Sequence, residues 1–313
     1  MQLVPPPETT STVLMVRPSR FGPNPATGAS NVFQRSAGGA DATAIADRAR
    51  AEFDGLAQAL EDASVQVLVV DDAPGGRSTD AVFPNNCVSF HADGSAVLYP
   101  LEVESRRGEV RADTIDEVER RTDARWSRRI DLAPLADEGA FLEGTGSLVL
   151  DRPRRVAYAC RSSRTTPEGC AAFEREMAYE VHAFDAAAQG TPIYHTNVLL
   201  SLGPRFAVAC LDAIDDVDER AALIESLQET GRDLVAINLD ELHAFCGNVL
   251  ALESSAGDAV LAMSERARDA FLPAHRARLE EHASLVAADL STIETYGGGS
   301  ARCMLAEVFL PSR

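Results

Sequence analysis

Short apolar runs alternate along this chain with longer amphipathic stretches. Thr12–Val16, Val65–Asp71, Ala96–Tyr99, Arg155–Cys160, Asn197–Leu200, Phe206–Cys210, Leu234–Ile237, Val249–Leu252 and Ala259–Met263 are four to seven residues long and apolar or β-branched. That is strand length, too short for a helix that buries one face. Between them, apolar positions recur at helical spacing near Asp41–Ala63, Thr114–Thr122, Pro167–Ala188, Val217–Thr230 and Glu265–Ala287. Thr166 before Pro167 predicts an N-cap and first turn, and Gly190 and Gly231 stand where left-handed C-terminal caps would end helices. Five helices, each flanked by two to four strands, suit five ββαβ modules, although no repeated sequence word accompanies them. No Pro/Ser/Gly-rich linker divides the chain, so residues 12–313 are read as one catalytic α/β domain and residues 1–11 as a flexible N-terminal stretch.

Composition narrows the class. With 313 residues, 45% hydrophobic and 25% charged, the chain can bury a large core and carries no compositional sign of disorder. A formal net charge of -19 argues against nucleic acid and anionic membrane surfaces as partners, because those draw on excess Lys and Arg. The opening residues lack a basic region followed by an apolar run, and no segment approaches the roughly 18 apolar residues of a membrane span, so a cytoplasmic location is expected. Six cysteines, at 87, 160, 170, 210, 246 and 303, form no Cys-x-x-Cys pair and suit free thiols in a reducing compartment. The six histidines show no metal-ligand spacing, and neither a metal nor a cofactor is expected.

Three residues carry candidate chemistry. Cys303 follows a Gly297-Gly298-Gly299-Ser300 run, His195 lies in Tyr-His-Thr-Asn, and Glu143 lies in Leu-Glu-Gly-Thr-Gly. A thiolate attacks, an imidazole moves protons, and a carboxylate orients the imidazole and supports its charged form. By itself, a lone Cys beside a strand is as well explained as a small buried hydrophobe. Phosphate-binding alternatives fail: Gly144-Thr145-Gly146-Ser147 lacks the third glycine of a dinucleotide fingerprint, and no phosphate loop or Gly-x-Ser-x-Gly elbow is present. The Gly297–Gly299 triplet could let backbone approach a ligand beside Cys303.

Six segments in fixed order then carry a resemblance. Thr79-Asp80-Ala81-Val82-Phe83-Pro84-Asn85-Asn86, Ser105-Arg106-Arg107-Gly108-Glu109-Val110, Leu142-Glu143-Gly144-Thr145-Gly146, Ser163-Arg164-Thr165, Tyr194-His195-Thr196-Asn197 and Cys303 resemble the motifs of the guanidine-modifying enzymes. That superfamily includes arginine deiminases, dimethylarginine dimethylaminohydrolases and amidinotransferases. Val16-Arg17-Pro18, Asn31-Val32-Phe33-Gln34 and Phe83-Pro84-Asn85-Asn86 look closest to its citrulline-utilisation hydrolase branch. The resemblance implies a five-bladed α/β propeller (pentein) with the active site in a central channel. It implies Cys303 as nucleophile, His195 as general acid and base, and Glu143 as the carboxylate that positions His195. It also implies substrate contacts from Asp80, and from Arg106 and Arg164 toward a substrate carboxylate, where a planar guanidinium can bind bidentately.

Departures from the family pattern point to the substrate. Acidic residues found in other branches are replaced here by Asn85, Asn86 and Asn197. A buried guanidinium needs anionic partners, whereas a neutral ureido group offers a carbonyl that an Asn amide can meet with an N–H. The alternative is that Asn85 and Asn86 after Pro84 merely cap a turn. The expected function is hydrolysis of a ureido or guanidino amino acid at its C–N bond, with citrulline going to ornithine, ammonia and carbon dioxide. Arginine dihydrolase, arginine deiminase and dimethylarginine hydrolase are the alternatives, followed by an amidinotransferase or a non-catalytic binding protein of the same fold. The partner is a small amino-acid substrate, and a homodimer is admitted.

Overall fold

The computed structural model describes residues 5–28, 30–72 and 78–311. Among them the strands form five three-stranded sheets and one two-stranded hairpin, and the five sheets share one connectivity. Two strands pair antiparallel, and the second pairs parallel with a third across a helical connection. They are β3 (Val88–Phe90), β4 (Ser95–Leu98) and β5 (Arg128–Asp131); β6 (Leu148–Asp151), β7 (Val156–Cys160) and β8 (Glu180–Phe184); β11 (Leu200–Leu202), β12 (Phe206–Ala209) and β13 (Asp233–Ala236); and β14 (Leu250–Glu253), β15 (Ala259–Ser264) and β16 (Ser284–Ala288). In the fifth sheet β1 (Thr12–Arg17) pairs parallel with β2 (Gln66–Asp71), and its antiparallel partner is β17 (Ala306–Glu307), from the far end of the chain. β9 (Ala187–Ala188) and β10 (Thr191–Pro192) make the hairpin.

The helical connections bury one face each. In Ala42–Asp62 the apolar stripe Ile45, Ala49, Phe53, Leu56 and Leu60 packs inward, and Asp41 caps the start by accepting the Thr43 N–H at 2.9 Å. Each fully buried Leu or Phe there is worth roughly 1.5–3 kcal/mol. Glu52 on the same helix accepts the N–H groups of Thr292 and Ile293 at 2.8 and 2.9 Å, fixing the start of Ser291–Gly297, the helix that leads into the glycine run before Cys303.

Two predicted helices are shorter than their periodicity suggests. Pro167–Met177 starts as expected, with Thr166 accepting the Gly169 N–H, but ends at Ala178 in the left-handed region, and Glu180–Phe184 continues as β8. Glu265–Ala270 and Pro273–Glu280 replace one long helix because Pro273 opens a new one, and β16 follows. Gly190 turns the β9–β10 hairpin and caps no helix. From Glu8 onward the N-terminal stretch expected to be flexible is held: Glu8 pairs with Arg232, Thr9 and Thr10 are buried, and the Thr10 hydroxyl donates to the Val308 carbonyl at 2.8 Å. Residues 1–4 lie outside the described residues.

The first strand of every sheet is preceded by a tight buried segment. Pro84–Asn86 precedes β3, Gly144–Ser147 precedes β6, Thr196–Val198 precedes β11, Cys246–Val249 precedes β14, and Ala301–Met304 precedes β17. First strands neighbour one another, β17 against β3 and β11 against both β6 and β14. Five sequence-distant turns are thereby gathered in one place.

Candidate active site

Cys303, His195 and Glu143 come from three of these turns and are all buried. His195 Nε2 lies 2.9 Å from Glu143 Oε2. Burial alone would raise the Glu143 carboxyl, but the Arg164 guanidinium, the His195 hydrogen bond and Arg106 outweigh it and hold the group well below the usual carboxylate range. An ionised carboxylate only accepts, so Nε2 carries the hydrogen and Nδ1 presents a lone pair. Nδ1 has no partner among the described residues. Burial pushes the imidazole down to about 4, against the pull of Glu143, so it is neutral at neutral pH. Glu143 Oε1 also accepts the Glu102 N–H at 3.1 Å, which fixes the carboxylate plane.

Cys303 makes no hydrogen bond to His195 among the described residues. Its Sγ lies 3.2 Å from Asn248 Nδ2 and 3.5 Å from Asn197 Nδ2. Burial pushes the thiol up, and Asn248, the Ser300 backbone, Arg302 and Asn197 all oppose that rise.

Arg106 is turned inward. Its Nε and Nη2 donate to Glu109, Nη1 and Nη2 both donate to Asn86 Oδ1 at 3.1 Å, and Nη1 reaches Glu143 at 3.5 Å. Every N–H of this guanidinium therefore faces a protein acceptor, and none remains for the substrate carboxylate it was expected to bind. The reason is local: buried Glu109 three residues on, with Asp80 at 3.7 Å and Glu143, surrounds the cation with acids. The consequence falls on Asn86, whose Oδ1 is fully engaged, leaving the Nδ2 end as the one that can serve a ligand. Asn86 Nδ2 donates one N–H to Asn85 Oδ1 at 3.1 Å, and Asn85 Nδ2 is buried without a partner. A side chain at Gly146 would come within 2.5 Å of Asn86 Nδ2 and 2.7 Å of His195 Nδ1, so only glycine lets the two converge there.

Arg164 is placed differently. Nη2 donates to the Thr27 carbonyl at 3.1 Å and to the Ser30 hydroxyl at 2.8 Å, the guanidinium lies over the Tyr194 ring, and among the described residues Nη1 has only the long ion pair with Glu143 at 3.6 Å. Asp80 accepts from Asn24 at 2.6 Å. Asn24, Thr27 and Ser30 belong to the segment between β1 and the first long helix, which lies across the site and is pinned at Asn31 to the Gly298 carbonyl at 3.2 Å. Asp80, Phe83, Asn86, Arg106, Arg164, Tyr194, His195 and Cys303 share the wall of one cavity of about 270 Å³ with Thr27, Asn31, Gly297 and Gly299. Gly297 and Gly299 lie against the Phe83 ring, where a Cβ would meet it at 2.8 and 3.0 Å.

A family model described as N,N dimethylarginine dimethylhydrolase, eukaryotic, matches residues 17–310. The chain belongs to this family. Among solved structures it resembles the N-terminal domain of ArgZ, an arginine dihydrolase from the ornithine-ammonia cycle in cyanobacteria, at TM-score 0.73 and 18% identity, covering 96% of this chain and 98% of that one. Unliganded AgrE matches at TM-score 0.71 and 20% identity over 96% of this chain and 40% of AgrE. Dimethylarginine dimethylaminohydrolase, in an adduct with S-methyl-L-thiocitrulline, matches at 0.65 and 16%, covering 96% and 99%. A comparison with curated protein sequences finds no match. At these identities the structural likeness establishes the fold, the mixed α/β pentein fold of the guanidine-modifying hydrolases. Among the described residues no helix is long and apolar enough to cross a membrane.

Within this dimethylarginine hydrolase family member, all nine residues expected at the site do gather around it. Glu143, Asn85 and Asn197 reach it through His195, Asn86 and Cys303 rather than by lining the cavity. Sequence reasoning missed Asn248, Tyr194, Glu109 and the Asn24–Asn31 segment. A signal for Asn248 existed: Asn197-Val198 and Asn248-Val249 occupy matching places before β11 and β14.

Proposed function

We propose that this protein is a cysteine hydrolase of ureido amino acids, with citrulline as substrate, and that its five sheets are the blades of a propeller around the site. The observation that carries the substrate choice is the double hold of Arg106 on Asn86 Oδ1, which commits Asn86 to presenting an N–H. A ureido carbonyl accepts that hydrogen bond, whereas a guanidinium has only N–H groups there. Arg164 Nη1, whose contact with Glu143 is a long 3.6 Å, suits the substrate carboxylate and Asp80 suits a substrate N–H.

In the reaction His195 Nδ1 takes the Cys303 proton, and the sulfur attacks the ureido carbon. The carbonyl oxygen becomes an anion beside the Asn86 N–H; removing one such donor costs about 10²–10³ in rate in other enzymes. His195 returns its proton to the terminal nitrogen, the C–N bond breaks, and ammonia leaves a thiocarbamate on Cys303. His195 then takes a proton from water, hydroxide adds, the C–S bond breaks, and the thiol is restored. The released Nδ-carboxylate loses carbon dioxide to give ornithine, with one ammonia and one carbon dioxide per citrulline.

A second reading, an arginine dihydrolase that retains citrulline as an intermediate, is favoured by the Asp80 carboxylate in the cavity and by the likeness to ArgZ. Product stoichiometry separates the two, since arginine yields two ammonia for each ornithine. The experiment is kcat/KM for citrulline and arginine, with products identified, on wild type and Asn86→Asp. We expect wild type to prefer citrulline, and the variant to shift the citrulline-to-arginine ratio toward arginine by about tenfold or more, as loss of a buried hydrogen bond of about 1–3 kcal/mol implies. An unchanged ratio would remove the basis of the ureido reading.

A further inference from the structure

We propose that Asn248 and Asn197 form a donor pair that stabilises the Cys303 sulfur as the anion it becomes when its proton leaves. This rests on Cys303 being the nucleophile and on nothing about the substrate.

The orientation of Asn248 is set by its surroundings. Nδ2 lies 2.8 Å from the main-chain carbonyl of Asn197, an oxygen that only accepts, so the amide nitrogen must face it. The same nitrogen lies 3.2 Å from Cys303 Sγ, which receives its second N–H. Oδ1 has no partner among the described residues, so no competing bond there draws the amide round. Asn248 is thus a fixed donor to sulfur, and a thiolate, which only accepts, gains more from it than a thiol does. Asn197 stands side-on, with Nδ2 at 3.5 Å and Oδ1 at 3.8 Å from Sγ, able to receive the S–H or to donate to the anion. His195 cannot do this work in the resting site, because its Nε2 is committed to Glu143 and its Nδ1 is without a partner. The two amides come from the turns before β11 and β14, and the Gly247 position between Cys246 and Asn248 lies so close to the Val198 carbonyl that a Cβ would meet it at 2.3 Å.

The test is substrate-free alkylation of Cys303 by iodoacetamide across the neutral and alkaline range, followed by peptide mass spectrometry, on wild type, Asn248→Ala and Asn197→Ala, with thermal melts to verify folding. We expect Asn248→Ala to raise the alkylation midpoint, slowing the reaction about tenfold at neutral pH while leaving its alkaline plateau unchanged. Asn197→Ala, with the longer contact, should give a smaller rise. A folded Asn248→Ala protein with the wild-type midpoint overturns the proposal, as does an equal slowing at every pH. If Asn248→Ala does not fold, Asn197→Ala decides, because it keeps the main-chain carbonyl that orients Asn248; an unshifted midpoint there overturns the pair. Turnover plays no part in this readout, so its failure leaves the hydrolase reading standing.

Discussion

Adjacent residues of one turn, Cys303 and Arg302, line two different cavities, of about 270 and 360 Å³, and each cavity borders a buried network of arginines and carboxylates. On the Cys303 side Arg106 and Arg164 meet Asp80, Glu109 and Glu143, so acids outnumber bases. On the Arg302 side Arg152, Arg232 and Arg302 meet Asp151 and Glu307, with Glu8 beside Arg232, so acids do not outnumber bases. Unpartnered atoms divide unequally too. His195 Nδ1, Asn85 Nδ2 and Asn248 Oδ1 belong to the first region and Glu8 Oε2 to the second. Buried polar atoms without partners are costly, and where they converge on a nucleophile a ligand is the natural partner. In the proposed reaction one network therefore orients the reacting groups, and the other closes the structure.

The largest effect that would break this contrast is at Cys303. Cys303→Ser should lose turnover by about 10³-fold or more with an unchanged melting temperature, because an alcohol gives no nucleophilic anion near neutral pH. Steady-state rates with calorimetry check both halves. His195→Ala should follow closely, removing both proton transfers, while Glu143→Gln should cost less, about 10–10²-fold, since an amide can still hold one imidazole tautomer. The reverse ranking would mean that the roles are misassigned.

A matched pair of arginine variants sharpens the contrast further. Arg106→Met and Arg232→Met each strip a cation from buried carboxylates and should each destabilise by about 3–5 kcal/mol in denaturant titrations. Only Arg106→Met should also lower kcat/KM in the folded protein, by about 10²-fold, because it frees Asn86 to rotate. Equal kinetic losses in both would erase the distinction between the two networks.

The smallest effect concerns Glu8. Burial pushes its carboxyl up to about 8 in spite of Arg232. A group raised above its unfolded value near 4.5 contributes stability that is complete below that value and is lost as pH rises through about 8. Glu8→Gln should remove this component, so that melting temperature falls less between mildly acidic and mildly alkaline buffer than in wild type, by a few degrees. Parallel curves for the two proteins would show that Glu8 titrates as an ordinary carboxylate.

Much of the site was legible because its chemistry is carried by rare residue types in short words: Cys303 after three glycines, His195 before Thr196-Asn197, Glu143 before Gly144. What stayed hidden depends on direction. Arg106 and Arg164 are the same residue type, yet only the structure shows one encircled by acids and the other facing a loop and a ring. Asn248 reads in sequence as a turn residue after Gly247, and only the meeting of two turns puts its amide on sulfur. For the fold, the helix starts were marked by capping residues, but β8 and β16 were absorbed into helical patterns. Their apolar positions, half-buried Val181 with buried Phe184 and half-buried Leu285 with buried Ala288, fit helical spacing as well as a strand.

The pairing of β17 with β1 has a kinetic side. Val13 meets Glu307 and Leu14 meets Ala306, so this contact closes a loop of nearly the whole chain and is the most non-local in the molecule's sheets. Such closures carry the highest entropic cost on the way to the native state and tend to form late. Cys303 lies three residues before that strand, in the turn which the pairing fixes. The Cys303 sulfur, the proposed nucleophile, is therefore placed in the same event that closes the fold, and a partly unfolded chain carries an ordinary thiol with no acid, base or amide to direct it.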